Sequence, residues 1–135
     1  MFAYGNVLID REPDEVYRAL ADLRIQMPCW EIIYVPNLEN LEDGTLEVSG
    51  TYTLGHSSIL CDIELHLTRP SSGLVTRIQW ATGELAAEWR IIEDGDRTRV
   101  EVSIEGRGGG LANNVSLRQI TPKILARLKQ HFDRA

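Results

Sequence analysis

No run of apolar residues in this 135-residue chain approaches the roughly 18 to 20 that a membrane-spanning helix requires, so stable membrane insertion is not expected. The opening MFAYGNVLIDRE does not join a positive segment to a continuous apolar core, so it does not read as a secretory signal. Cysteine is scarce. Cys29 and Cys61 lie far apart and read as reduced thiols rather than a disulfide framework, which makes a cytoplasmic location the expectation. Positive charge is also short: 14 Lys and Arg against 20 Asp and Glu leave a formal net charge of -6. A nucleic-acid partner needs a basic stripe to replace counterions on the phosphates, so none is expected. The basic residues near the C-terminus alternate with Gln and Asp and read as a solvated face.

What remains, 43% apolar and 25% charged, is enough for one core and gives no second domain. Residues 1–135 are read as a single domain. Val7, Leu8 and Ile9 centre a first strand over Phe2 to Asp10. Asp10 is a candidate cap, Pro13 suits a first helical turn, and Asp14 and Glu15 suit its positive end. Val16, Tyr17, Ala19, Leu20 and Leu23 follow at helical spacing, and the helix ends near Asp22. A second helical turn is expected over Arg24 to Met27, with Pro28 stopping it. Trp30 to Val35 then reads as a strand. From Leu46 onward apolar and polar residues alternate, with turn signals at Gly55 to Ser58, Pro70 to Gly73, Thr82-Gly83 and Asp94 to Asp96. The inward set is Leu46, Val48, Tyr52, Ile59, Cys61, Ile63, Leu65, Thr76, Ile78, Trp80, Leu85, Ala87, Trp89, Val100, Val102 and Ile104.

Gly106 to Gly110 reads as a flexible hinge into a long helix over Leu111 to Ala135. That helix carries the stripe Leu117, Ile120, Ile124, Leu125, Leu128 and Phe132. Pro122 interrupts it. Either one helix kinks there, which is the favoured expectation, or a new helix starts with Thr121 as its cap. The order β-α-α-β-β-β-β-β-β-α gives an α+β chain, with a curved antiparallel sheet of about seven strands wrapped around the C-terminal helix.

This order resembles the START-like (SRPBCC) superfamily, the helix-grip fold of polyketide cyclases, birch-pollen-allergen relatives and lipid-transfer domains. The resemblance is carried by Val7-Leu8-Ile9-Asp10 running into Pro13 to Asp22, by Trp30 after Pro28, by Trp89, and by Thr98-Arg99-Val100 after Asp94-Gly95-Asp96. It spans the whole chain, and its motifs are mostly structural. It implies a cavity between sheet and last helix that takes apolar small molecules. The residues placed there are Tyr52, Cys61, Ile63, Leu65, Thr76, Ile78, Trp80, Ala87, Trp89, Val102, Ile120, Ile124 and Leu128.

Within that inward set the polar handles are few: Tyr52, Cys61, Thr76 and the indole N–H groups of Trp80 and Trp89. An apolar cavity with a few placed polar groups suits binding better than acid–base chemistry. The first expectation is therefore a binder or carrier of a hydrophobic small molecule, such as a lipid or polyketide. The second is a polyketide aromatase or cyclase, with Tyr52, Thr76 and His56 as the weak catalytic candidates. The third is a protein-interaction module, and a monomer or weak homodimer is expected. Asp62, Glu64 and His66 share a face, but same-face strand residues lie about 7 Å apart, too far for three ligands on one zinc. No motif calls for a metal or a cofactor.

Overall fold

The alternating stretches become the strands of one antiparallel sheet. The computed structural model describes residues 2–34, 39–41, 45–54, 57–67, 73–108 and 117–134. The strands are β1 (Phe2–Ile9), β2 (Ile32–Tyr34), β3 (Glu39–Leu41), β4 (Thr45–Leu54), β5 (Ser57–Leu67), β6 (Gly73–Trp80), β7 (Gly83–Asp94) and β8 (Arg97–Gly108). Their spatial order is β1-β8-β7-β6-β5-β4-β2, with β3 also pairing β4. From β4 to β8 each strand pairs with the next in sequence, and β1 closes on the far side of β8. The short β3 was not expected. It shares the β4 edge with β2, at a register displaced by two residues.

Register carries the inward set to one side. Ile63 lies opposite Val48 and Ile78, and Ala87 opposite Thr76 and Ile104. All of these are buried. A slip of one residue would turn Ile63 and Ile104 outward and bring Asp62 and Glu105 in, which is why the alternation holds the pairing.

Three helices cover that face: α1 (Pro13–Leu20), α2 (Leu23–Cys29) and α3 (Leu117–Asp133). Several local expectations are corrected. Asp10 does not cap α1; Glu12 is the cap residue, without a side-chain hydrogen bond, and Pro13 starts the helix. Asp22 caps α2 instead, accepting from the Arg24 N–H at 3.0 Å. Pro28 lies inside α2 and does not stop it. In so short a helix proline forfeits a single donor, and Trp30 N–H to Met27 O (3.0 Å) and Glu31 N–H to Pro28 O (3.1 Å) close the last turn. Trp30 is therefore the C-cap of α2, not a strand residue.

Pro122 lies within α3, which runs through it as one helix. Pro122 has no N–H to offer the Arg118 carbonyl, where the helix faces outward, and the Thr121 hydroxyl donates to Leu117 O at 2.7 Å, so Thr121 does not start a new helix. Residues 111–116 of the expected helix lie outside the described residues. The buried stripe is Leu117, Thr121, Ile124, Leu125, Leu128 and Phe132, with Ile120 only half-buried. Thr121 takes the central position because it lies four residues from both Leu117 and Leu125. The expected hinge is also corrected in part. Gly106, Arg107 and Gly108 end β8, paired with Leu85, Glu84 and Gly83. Gly108 has φ +88, and a Cβ there would stand 2.4 Å from Thr82 O, so glycine is required to end the strand. Residues 109 and 110 lie outside the described residues.

The last carbonyls of all three helices are met by side chains. Gln26 Nε2 donates to Leu20 O at 2.6 Å, Arg127 Nη1 to Cys29 O at 3.0 Å, and Arg11 Nη2 to Phe132 O at 2.9 Å. Each bond satisfies a group that helix geometry leaves unpaired, and each ties one element to another. Among the described residues no helix is long and apolar enough to cross a membrane.

Candidate ligand-binding site

The site to be tested is the interior between the sheet and α3. Tyr52 and Cys61 come from β4 and β5, Thr76 and Trp89 from β6 and β7, and Ile124 and Leu128 from α3. All the expected cavity residues are buried in one core except Ile120, which packs against it half-buried. His56, the remaining catalytic candidate, lies outside the described residues.

The interior polar groups form a chain. The Trp89 indole N–H donates to Thr76 Oγ1 at 3.1 Å. The Thr76 hydroxyl donates to Gln26 Oε1 at 2.6 Å, and the Trp30 indole N–H donates to the same oxygen at 3.2 Å. Gln26 completes the chain through its bond to the end of α1. Thus one buried amide links α1, α2, the Trp30 cap and the middle of the sheet. Gln26 escaped the sequence reading, although Leu23, Met27 and Trp30 at helical spacing place it on the apolar side of α2. The consequence for chemistry is direct. Thr76 spends its proton on Gln26 and its lone pair on Trp89, so it is a structural link rather than a reactive hydroxyl.

Tyr52 differs. It is 2% exposed, yet among the described residues no hydrogen bond reaches its hydroxyl. Burial, followed by the negative charge of Glu31, pushes its pKa up to about 12. The hydroxyl is therefore a neutral donor across the physiological range and not a base. Cys61 contacts Gly50 O at 3.6 Å, and burial pushes its thiol up to about 11. Cys29 is likewise raised to about 11 by burial. Both are free, protonated thiols with no sign of nucleophilic activation.

Near Tyr52 the chain makes an unusual turn. Glu31 follows the α2 cap with φ 60, a left-handed conformation normally taken by glycine. Its carboxylate pairs with Arg127 of α3. On the outer face His66 Nε2 lies 3.0 Å from Glu64, and among the described residues no group of three metal-ligating side chains converges. The described outer clefts include one of about 430 Å³ beside Leu60, Asp62, Gln79 and Trp80.

Neither a protein-family model nor a curated protein sequence matches the chain. Solved structures do. A Thermus thermophilus protein superposes with a TM-score of 0.76 at 13% identity, covering 99% of this chain and 98% of that one. The Zhui aromatase/cyclase of a Streptomyces species gives 0.75 at 16% identity, over 99% and 94%. The di-domain ARO/CYC BexL of the BE-7585A biosynthetic pathway gives 0.70 at 20% identity, over 96% of this chain and 45% of that one. The chain shares the helix-grip fold of these structures. In this helix-grip domain the gripped element is α3, and the Gln26 chain anchors the two short helices that close the same side.

Proposed function

We propose that this helix-grip domain binds a hydrophobic small molecule, a lipid, polyketide or similar, between the inner face of the sheet and α3. One observation carries the reading. In an interior whose other polar groups are bonded to one another, the Tyr52 hydroxyl has no hydrogen-bond partner among the described residues, and since no buried polar atom there is left unsatisfied, that hydroxyl keeps access to open space. A donor that is accessible and unbonded at the edge of an apolar interior is free to meet the oxygen of a ligand. The ligand class that fits is therefore mainly apolar, with one carbonyl, ether or hydroxyl oxygen. Native mass spectrometry and organic extraction of freshly purified protein test it: a bound molecule of that class is expected from the wild type and at lower occupancy from Tyr52→Phe. Equal occupancy in both would remove Tyr52 from the site, and no bound or acquired ligand would reject the reading.

A cyclase-like enzyme is the second reading, favoured by the aromatase/cyclase named among the structural neighbours. In it Tyr52 would donate to a substrate carbonyl while the pocket folds the chain. It ranks second because Thr76 is committed to Gln26 and Trp89, and Tyr52 with a pKa of about 12 holds its proton.

A further inference from the structure

Outside the grip, between α2 and α3, lies a separate cleft of about 510 Å³. Arg24, Arg127, His131 and Arg134 line it, over a floor that includes Ile25 and Pro28. None of its described lining residues is a carboxylate. The chain as a whole is acidic, with a net charge of -6, so this gathering of guanidinium groups runs against its overall charge.

Two of these arginines are already held. Arg24 is clamped by Asp22, with Nη2 to Oδ2 at 2.8 Å and Nε to Oδ1 at 3.0 Å. Arg127 is held by Cys29 O and Glu31. Glu31 makes its contact from a left-handed backbone conformation, which costs roughly 1–2 kcal/mol in a residue other than glycine. Arg134 has no ion-pair partner among the described residues, while His131 lies near enough to Asp22 to help lower its carboxyl pKa, behind the larger effect of Arg24. Asp22 and Glu31 offset Arg24 and Arg127, so the cleft keeps the uncompensated charge of Arg134, which a bound anion would meet. Arginine forks fit phosphate oxygens in pairs, and a phosphomonoester brings a charge of about −1.5 to −2 near pH 7, more than a carboxylate. The volume exceeds what inorganic phosphate fills, and the apolar floor suits an organic group.

We propose that the α2–α3 cleft is a second binding site, for a phosphomonoester whose phosphate lies among Arg24, Arg127 and Arg134 and whose organic part rests on Ile25 and Pro28. The site is independent of the interior pocket. Held arginines lose little freedom on binding, so the cleft is prepared for its ligand.

The test is an NMR titration of the full chain with phenyl phosphate, inorganic phosphate and phenol. Phenyl phosphate is expected to shift the backbone signals of residues 24–29 and 127–134, more tightly than inorganic phosphate, while phenol leaves them in place. Arg134→Ala is expected to weaken phenyl phosphate by about tenfold, Arg134→Lys by less, and salt to weaken it further. Arg134 is exposed at the end of α3, so these variants keep the fold. A parallel arm uses vesicles of phosphatidic acid in phosphatidylcholine: co-sedimentation abolished by Arg134→Ala identifies a lipid headgroup, and phenyl phosphate binding without co-sedimentation identifies a soluble phosphate ester. No shift at millimolar phenyl phosphate, or shifts unchanged in Arg134→Ala, would overturn the proposal. Loss of interior ligand with retention of these shifts would leave this cleft standing and reject only the interior pocket.

Discussion

The Trp89 indole stands on the Thr76 hydroxyl at 3.1 Å, and through it on Gln26. The pair sits diagonally across β6 and β7, since Thr76 lies opposite Ala87. Replacing Thr76 by Val keeps the shape and removes the link. Trp89 and Gln26 would then each lose a partner in a fully buried site. The expected loss is about 3 kcal/mol by urea unfolding. Gln26→Leu in the Thr76→Val background should cost less than it does alone, because the amide oxygen has already lost one donor. Additive losses would show that the two residues act separately.

Tyr52 gives the opposite stability pattern. Its hydroxyl has no partner to lose among the described residues, so Tyr52→Phe is expected to leave thermal stability unchanged or slightly raised. Under the interior-pocket reading, affinity for an oxygen-bearing apolar ligand falls by about tenfold in the same variant. A clear drop in melting temperature would mean that the hydroxyl is serving the fold.

Alkaline pH should destabilise the protein, with a slope that changes once. Burial raises Cys29 and Cys61 from 9.0 to about 11, and Tyr52 from 10.0 to about 12. In each case the folded state holds its proton to a higher pH than the unfolded chain does. Their contribution is complete below the unfolded values and is lost as pH rises through the folded ones. Stability is therefore expected to fall from about pH 9, and more steeply above 10. Cys61→Ala should leave the onset in place, because Cys29 titrates alike, but make the fall between about pH 9 and 10 shallower by about half, as followed by unfolding at a series of pH values.

Gly5 lets α3 lie close on β1. A Cβ at this position would stand 2.8 Å from Leu125 Cδ1 and 3.0 Å from Thr121 Cγ2. Gly5→Ala meets the movable tips of two side chains and should be mild. Gly5→Val should cost about 1–3 kcal/mol and loosen α3, seen as faster hydrogen exchange along the helix. Unchanged exchange in Gly5→Val would show that α3 is held mainly elsewhere.

Local chemistry was enough to fix which residues face inward. The alternation through Ile63, Ile78, Trp89 and Ile104 could be satisfied in one register only, so the meander and its buried face were legible in the chain. So was the amphipathic C-terminal helix, apart from the exchange of Ile120 for Thr121. The partners of the polar residues were not legible. Thr76 and Gln26 are 50 residues apart, and Arg127 and Glu31 are 96 apart. A sequence pattern reports which face a side chain takes, because that depends on the local backbone period. It does not report which distant group meets it there. Only the closing of the sheet over α1, α2 and α3 turned Thr76 from a catalytic candidate into a structural link, left the Tyr52 hydroxyl without a partner among the described residues, and gathered Arg24, Arg127 and Arg134 around one cleft.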